Sequence, residues 1–166
     1  MPPADDATPR DDGVLLLSSA AFRDIMAAIL DRGEAVRFRA GGVSMLPFIR
    51  DGDVLTVSPL AGRRPGLGDV VAFRHPRDGH VLLHRVVGII PAGVVTKGDA
   101  ALQPDGLVPP DRVLGRLTLV ERDQRRVRLG IGPERRLVAA LSRHALLVHV
   151  TALGRKIQGG WRRLTT

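Results

Sequence analysis

Three short segments of this chain carry residues whose types and spacing could do chemistry together. Gly41-Gly42-Val43-Ser44-Met45-Leu46-Pro47 sets a lone hydroxyl after a glycine pair, just past a strand-like run. Forty residues on, Leu82-Leu83-His84-Arg85-Val86-Val87-Gly88 places an imidazole in a β-branched stretch. Lys97-Gly98-Asp99-Ala100-Ala101-Leu102-Gln103-Pro104-Asp105 then supplies two carboxylates six residues apart. A hydroxyl nucleophile, an imidazole that takes its proton and a carboxylate that orients the imidazole are the parts of serine-based acyl transfer. The glycines before Ser44 let the backbone turn sharply and a substrate strand approach closely, and Pro47 stiffens the chain just after the serine. Either Asp99 or Asp105 can orient His84, leaving the other to pair with a basic side chain such as Arg85.

These residues need a scaffold, and the pattern around them is mostly β. Short β segments are expected at Val36–Arg39, Asp53–Val57, Asp69–Arg74, His80–Ile90, Gly93–Thr96, Val113–Val120 and Arg125–Leu129. Turn signals such as Asp51-Gly52, Pro65-Gly66, Asp78-Gly79 and Pro109-Pro110 separate them at the spacing of an antiparallel meander or barrel. In the His80–Ile90 run, alternation sends His80, Leu82, His84 and Val86 to one face and Val81, Leu83, Arg85 and Val87 to the other. Ahead of the β region, Ser18 or Ser19 caps a helix carrying Phe22, Ile25, Met26, Ile29 and Leu30 on one face and stopping near Gly33. Residues 1–13 offer little apolar surface and read as a disordered lead, and residues 14–130 as one domain. Residues 131–166 read as a basic amphipathic helical tail, with Leu137, Leu141, Ala145, Val148 and Ala152 at helical intervals and Arg155, Lys156, Arg162 and Arg163 around Trp161.

Composition narrows the function classes. At 166 residues the chain suits one well-filled domain. With no cysteine it has no disulfide, thiolate metal site or thiol nucleophile. The net charge of +8 is a C-terminal property: residues 1–111 hold 12 basic and 14 acidic side chains, and residues 112–166 hold 13 and 3. A basic tail can meet phosphates of an anionic membrane surface or of nucleic acid. One Trp, no Tyr and four Phe leave few platforms for base stacking, so a peripheral membrane contact outranks nucleic acid. Neither a signal peptide nor a spanning helix is legible, and the expected location is the cytoplasm, with the tail able to lie on a membrane. His75 and His80 flank a turn and are expected to be solvated; His144 and His149, five apart, receive no role.

Together the motifs resemble the signal peptidase I family over Val36 to Arg116, about half the chain. Gly42-Val43-Ser44-Met45-Leu46-Pro47 is similar to its serine box, Gly68-Asp69-Val70-Val71-Ala72-Phe73 to its Gly-Asp-hydrophobic strand, and His84-Arg85-Val86-Val87-Gly88 to the box of the general base. Histidine there, with Thr96-Lys97-Gly98-Asp99 and the later Asp105, resembles the branch found in the endoplasmic reticulum, archaea and some spore-forming bacteria. The resemblance implies an antiparallel β-sheet or barrel peptidase fold with flanking helices. It also implies a serine endopeptidase that cuts an extended precursor or leader peptide after small residues, with no metal or other cofactor. Ser44 would be the nucleophile, His84 the base, Asp105 the orienting acid and Asp99 a supporting carboxylate. The N–H of Ser44 would contribute to the oxyanion hole, and Gly42, Met45 and Pro47 would border the substrate. The chain departs from the family at Gly42, where a second serine is common, at Ala100, where an asparagine usually follows Gly-Asp, and in having no recognisable anchor. Two other readings stand beside it: an inactive peptide-binding module of the same fold, which Gly42 and the missing anchor support, and a regulator akin to the self-cleaving repressors, which share the fold but use lysine, so that His84 and the lack of a persuasive helix-turn-helix before Val36 count against it.

Overall fold

A computed structural model describes residues 19–144. It opens with helix α1 (Ser19–Asp31), whose Met26, Ala27 and Leu30 are buried on one face while Asp24, Ile25 and Ala28 stay exposed. Gly33, at φ +83°, ends the helix in the left-handed region and its N–H reaches back to the Leu30 carbonyl. Eight strands come next: β1 (Val36–Arg39), β2 (Val54–Ser58), β3 (Val70–Arg74), β4 (Val81–Ile90), β5 (Gly93–Lys97), β6 (Gly106–Val108), β7 (Val113–Arg122) and β8 (Arg125–Arg126). A short 3-10 turn, Pro110–Arg112, leads into β7, and helix α2 (Arg135–Arg143) comes after β8.

All the strands pair antiparallel in one sheet, in the order β1-β2-β7-β3-β4-β5-β6, with β8 folding back on β7. The sheet is open, with β1 and β6 at its edges, so the barrel alternative does not hold. Register irregularities at Thr56/Val57, Ala72/Phe73 and Val86/Gly88 bend it, as extra residues in one strand of a pair do. The main core lies under α1 and draws Val36, Leu55, Val57, Val70, Ala72, Val81, Leu114, Leu117 and Val120 from the strands. Met45 and Ile49 join it from the turn between β1 and β2. A smaller cluster of Val71, Phe73, Val86, Val94 and Val108 uses the complementary positions. Burial on both faces is why β3 reads as an almost uninterrupted apolar run.

Six of the strands expected from the sequence lie within a residue or two of their observed limits. β8 is shorter than the expected Arg125–Leu129, because the chain leaves the pairing with β7 early, and Leu129 is exposed. β6 and the 3-10 turn have no counterpart among the expected elements. Helix α2 packs on β4 and is tied to the sheet by Lys97, whose ammonium donates to the Ser142 carbonyl at 2.7 Å. The expected continuation of the tail through Ala152, the basic cluster around Trp161, and the lead before Ser19 lie outside the described residues. No helix among the described residues is long and apolar enough to cross a membrane.

Candidate active site

Three separate segments bring Ser44, His84 and Asp105 together. Ser44 is an exposed residue at the start of a tight turn, residues 44–48, on the way from β1 to β2. His84 is in the middle of β4, opposite Val71 of β3, and only 8% exposed. Its ring lies 6.3 Å from that of Phe73, so the imidazole is fixed against the sheet by packing as well as by hydrogen bonds. Asp105 closes the β5–β6 loop, where its N–H donates to the Thr96 carbonyl at 2.9 Å and starts the pairing of β6.

The side chains form a chain of hydrogen bonds. His84 Nδ1 lies 2.8 Å from Asp105 Oδ2, and His84 Nε2 lies 3.1 Å from Ser44 Oγ. An ionised carboxylate only accepts, so Asp105 holds the ring proton on Nδ1 and leaves Nε2 as the acceptor for the Ser44 hydroxyl. This is the tautomer in which an imidazole can take a proton from Oγ as a bond forms to carbon, with Asp105 stabilising the cation that results.

Asp99, the other carboxylate of the loop, is engaged elsewhere. It is fully buried and receives Arg85 in a two-point ion pair, Nε to Oδ1 at 2.8 Å and Nη2 to Oδ2 at 2.7 Å. Arg85 Nη1 donates to the Gly68 and Gly130 carbonyls at 2.9 and 2.6 Å, and the guanidinium lies 5.4 Å from the centre of the Phe48 ring. One buried cation therefore joins β4, the acid loop, the approach to β3, the approach to α2 and the turn carrying Ser44. A planar, permanently charged group with several donors suits that task where lysine does not. Burial would be costly without this complete set of partners.

The loop is also stitched to the turn that carries Ser44 through backbone. Ala100 N–H donates to the Ser44 carbonyl at 2.9 Å, and Ala101 N–H to the Gly98 carbonyl at 3.0 Å. A Cβ at Gly98 would lie 2.8 Å from the Ser44 carbonyl oxygen and 3.3 Å from His84 Nε2, so only glycine admits this close approach. The attachment is made by Ala100's main chain, so it stands without an asparagine side chain at that position.

Gly42 adopts φ +97°, and its N–H donates to Asp51 Oδ1 at 3.0 Å, so that N–H faces a carboxylate and not the space before Ser44. The N–H of Ser44 has no acceptor among the described residues. Beside Ser44 and His84 opens a cleft of about 440 Å³. One wall is Phe38 to Gly42, the end of β1 and its extension; the other is Val81 to His84, the first half of β4; Phe22 and Met26 of α1 also line it. Gly42, exposed, and Met45, buried in the main core, both belong to the lining. Pro47, expected beside the substrate, is half-buried, comes after a cis peptide bond and lies outside that lining. β1 pairs only with β2, and β5 pairs with β4 only from Arg85 onward. The cleft is thus bordered by unpaired strand edges on both sides.

Lys97 stands beside this machinery, and sequence reasoning gives it no role of its own. It is fully buried, and burial pulls its ammonium below the usual lysine range, while the charges of Asp99 and Asp105 oppose that pull. Strand register sets it opposite Arg85, across β4 and β5 and next to the loop that carries the two carboxylates. His75 and His80 pair through backbone at 2.7 Å across a turn, and His75 Nδ1 meets Asp78 at 3.0 Å; neither histidine lines the cleft. Among the described residues no cluster of His, Cys, Asp or Glu could hold a metal ion.

Compared with known protein families, curated proteins and solved structures, the chain matches none.

Proposed function

We propose that this protein is a serine endopeptidase of the signal peptidase I type, with a signal peptidase-like variant of the open antiparallel sheet. The reading is carried by the continuous hydrogen-bond chain Ser44–His84–Asp105 at the mouth of a cleft with free strand edges. An extended precursor or leader peptide adds as a strand in that cleft, its main chain pairing with β1, with β4, or with both.

In the first half-reaction Ser44 Oγ attacks the carbonyl carbon while His84 Nε2 takes the hydroxyl proton. The carbonyl oxygen carries the negative charge, and the Ser44 N–H, which has no acceptor among the described residues, is the main-chain donor assigned to it. The C–N bond breaks as His84 returns the proton to the leaving amine, leaving an ester on Ser44. Water then attacks the ester, His84 takes its proton, and the proton passes to Ser44 Oγ as the new carboxylic acid departs. No cofactor enters. The tail beyond the described residues supplies the proposed contact with an anionic membrane.

The test is intact-protein and peptide mass spectrometry with a panel of extended peptides, together with labelling by a fluorophosphonate. Cleavage and a single adduct on Ser44, both abolished in Ser44→Ala and strongly reduced in His84→Ala, are expected. Peptide binding without cleavage or adduct would replace this reading with a non-catalytic peptide-binding module.

A further inference from the structure

Two cations are buried back to back with the site. Arg85 and Lys97 are register partners across β4 and β5, so their side chains leave the sheet on one face, while His84, the residue before Arg85, leaves it on the other. Both cations are fully buried. Arg85 has Asp99 as a two-point counter-charge, whereas among the described residues the Lys97 ammonium makes a single hydrogen bond, to the Ser142 carbonyl in the last turn of α2. A buried ammonium with one neutral acceptor carries a desolvation penalty that an apolar side chain of similar length would avoid. Filling space therefore does not account for a lysine here.

The residues around Lys97 hold the site together. The Thr96 carbonyl accepts the Asp105 N–H at 2.9 Å, and Gly98 packs against the Ser44 carbonyl. The carboxylates of Asp99 and Asp105 both attract the Lys97 ammonium, and by the same interaction the ammonium attracts them. Asp99 is already fixed by Arg85. Asp105 has no such cation, and among the described residues its carboxylate makes one hydrogen bond, to His84.

We propose that Lys97 is a positioning residue of the site: its ammonium, held by the last turn of α2, draws the Asp105 carboxylate into the orientation that keeps the ring proton of His84 on Nδ1. Lys97 does not line the cleft, so it acts through Asp105 and not on the substrate. The inference rests on the peptidase reading for what the oriented imidazole then does.

The chain has no cysteine, so Lys97→Cys carries a single thiol. Alkylating the unfolded chain with 2-bromoethylamine rebuilds a side chain of lysine's length that ends in an ammonium; 1-bromopropane builds one of the same length without charge. Each product is refolded, and Lys97→Met supplies a neutral variant that needs no refolding. The full-length proteins are compared by thermal melts, by kcat and KM, by the rate of fluorophosphonate adduct formation on Ser44, and by nitrogen-15 NMR of the histidine rings, with His84 assigned through His84→Gln. In the S-propyl and Lys97→Met proteins, kcat and the adduct rate are expected to fall by about 10–100-fold, the scale of a small misplacement near reacting groups. KM is expected to stay within about twofold, since the cleft is untouched. His84 is expected to divide between its two tautomers in these proteins. The S-aminoethyl protein is expected to return the rates and the single Nδ1–H tautomer to those of the wild type. A His84 that remains wholly Nδ1–H in the neutral proteins would overturn the proposal, as would S-aminoethyl and S-propyl proteins that behave alike. Neutral proteins that do not fold, or that lose kcat only in step with the folded fraction, would make Lys97 a stability residue and overturn it too. Where the alkylated chains do not refold, the tautomer of Lys97→Met decides alone. A wild type that neither cleaves nor forms the adduct would remove the peptidase reading, and the tautomer comparison would still decide this one.

Discussion

Asp105 Oδ2 lies 2.8 Å from His84 Nδ1, on the side of the ring opposite the Ser44 hydroxyl. On the proposed reading this contact sets the tautomer, and Asp105→Asn would offer a donor where an acceptor is needed. The substitution is expected to lower kcat by about 10⁴-fold. Little change in melting temperature should accompany it, since Asp105 closes no fully buried ion pair. Steady-state kinetics beside a thermal melt checks both halves of the expectation.

Asp99 should behave in the opposite way. It is the counter-ion of a fully buried Arg85, and Asp99→Ala would strand that charge. A loss of about 3–5 kcal/mol in unfolding free energy is expected. Urea titrations of Asp99→Ala and Asp105→Asn would separate the structural carboxylate from the one that faces the imidazole.

Placing at position 42 the serine that is common in the family the motifs resemble is not expected to add a donor. A Cβ at Gly42 meets open space, but φ +97° is strained for any residue that carries one. Gly42→Ser is expected to cost about 1–2 kcal/mol and to give no increase in kcat. A melt and a rate measurement on the same preparation would test this.

Acid sensitivity should centre on Asp53. Burial pushes its carboxyl up, but the Arg122 guanidinium at 2.7 and 2.8 Å, the Arg50 N–H and the nearby positive charges together hold it below the usual carboxylate value of 3.8. Because the folded value lies below the unfolded one, the stabilisation is present above that unfolded value and is lost as pH falls through the folded one. Asp53→Asn is expected to be less stable than the wild type at neutral pH, with the gap shrinking on acidification. Unfolding free energies across that acid range would show it.

Lys97 gives a slope of the same sign in the alkaline range. Its value is depressed below 10.5, chiefly by burial, so between the folded value and 10.5 the unfolded chain binds more protons than the folded one. Stability therefore rises with pH across that window. Relative to Lys97→Met, the wild type is expected to gain as pH is raised toward 10.5, and denaturation at a series of alkaline pH values measures the slope.

Much of this architecture was legible in the chain because local rules and tertiary packing agree. β3 and β4 announce themselves by β-branched runs bounded by turn residues, and α1 by a single apolar face ending at Gly33. β6 was not legible: three residues beginning with glycine carry no periodicity, and they become a strand only because β5 offers an edge. The serine and histidine could be singled out from their settings. The choice between Asp99 and Asp105 could not be made from the residues alone, because it depends on where the loop between β5 and β6 turns and on which carboxylate Arg85 captures. The reach of Arg85 to Gly68 and Gly130, and of Lys97 to Ser142, spans 17 and 45 residues, beyond any local pattern. Phe22 read as one more apolar residue on a helix face; its place in the lining of the cleft is set by where α1 crosses the sheet.

His84 and Arg85 are neighbours in β4, paired with Val71 and Val70 of β3, and their side chains leave on opposite faces. A slip of β4 by one residue would exchange them, turning the guanidinium toward Ser44 and leaving the Asp99 carboxylate buried with no counter-charge. Such a molecule would be unstable and, on the proposed reading, inert as well. The register that gives the buried Asp99 its counter-charge is thus the one that sets His84 between Ser44 and Asp105, so on the proposed reading persistence and competence depend on a single strand pairing.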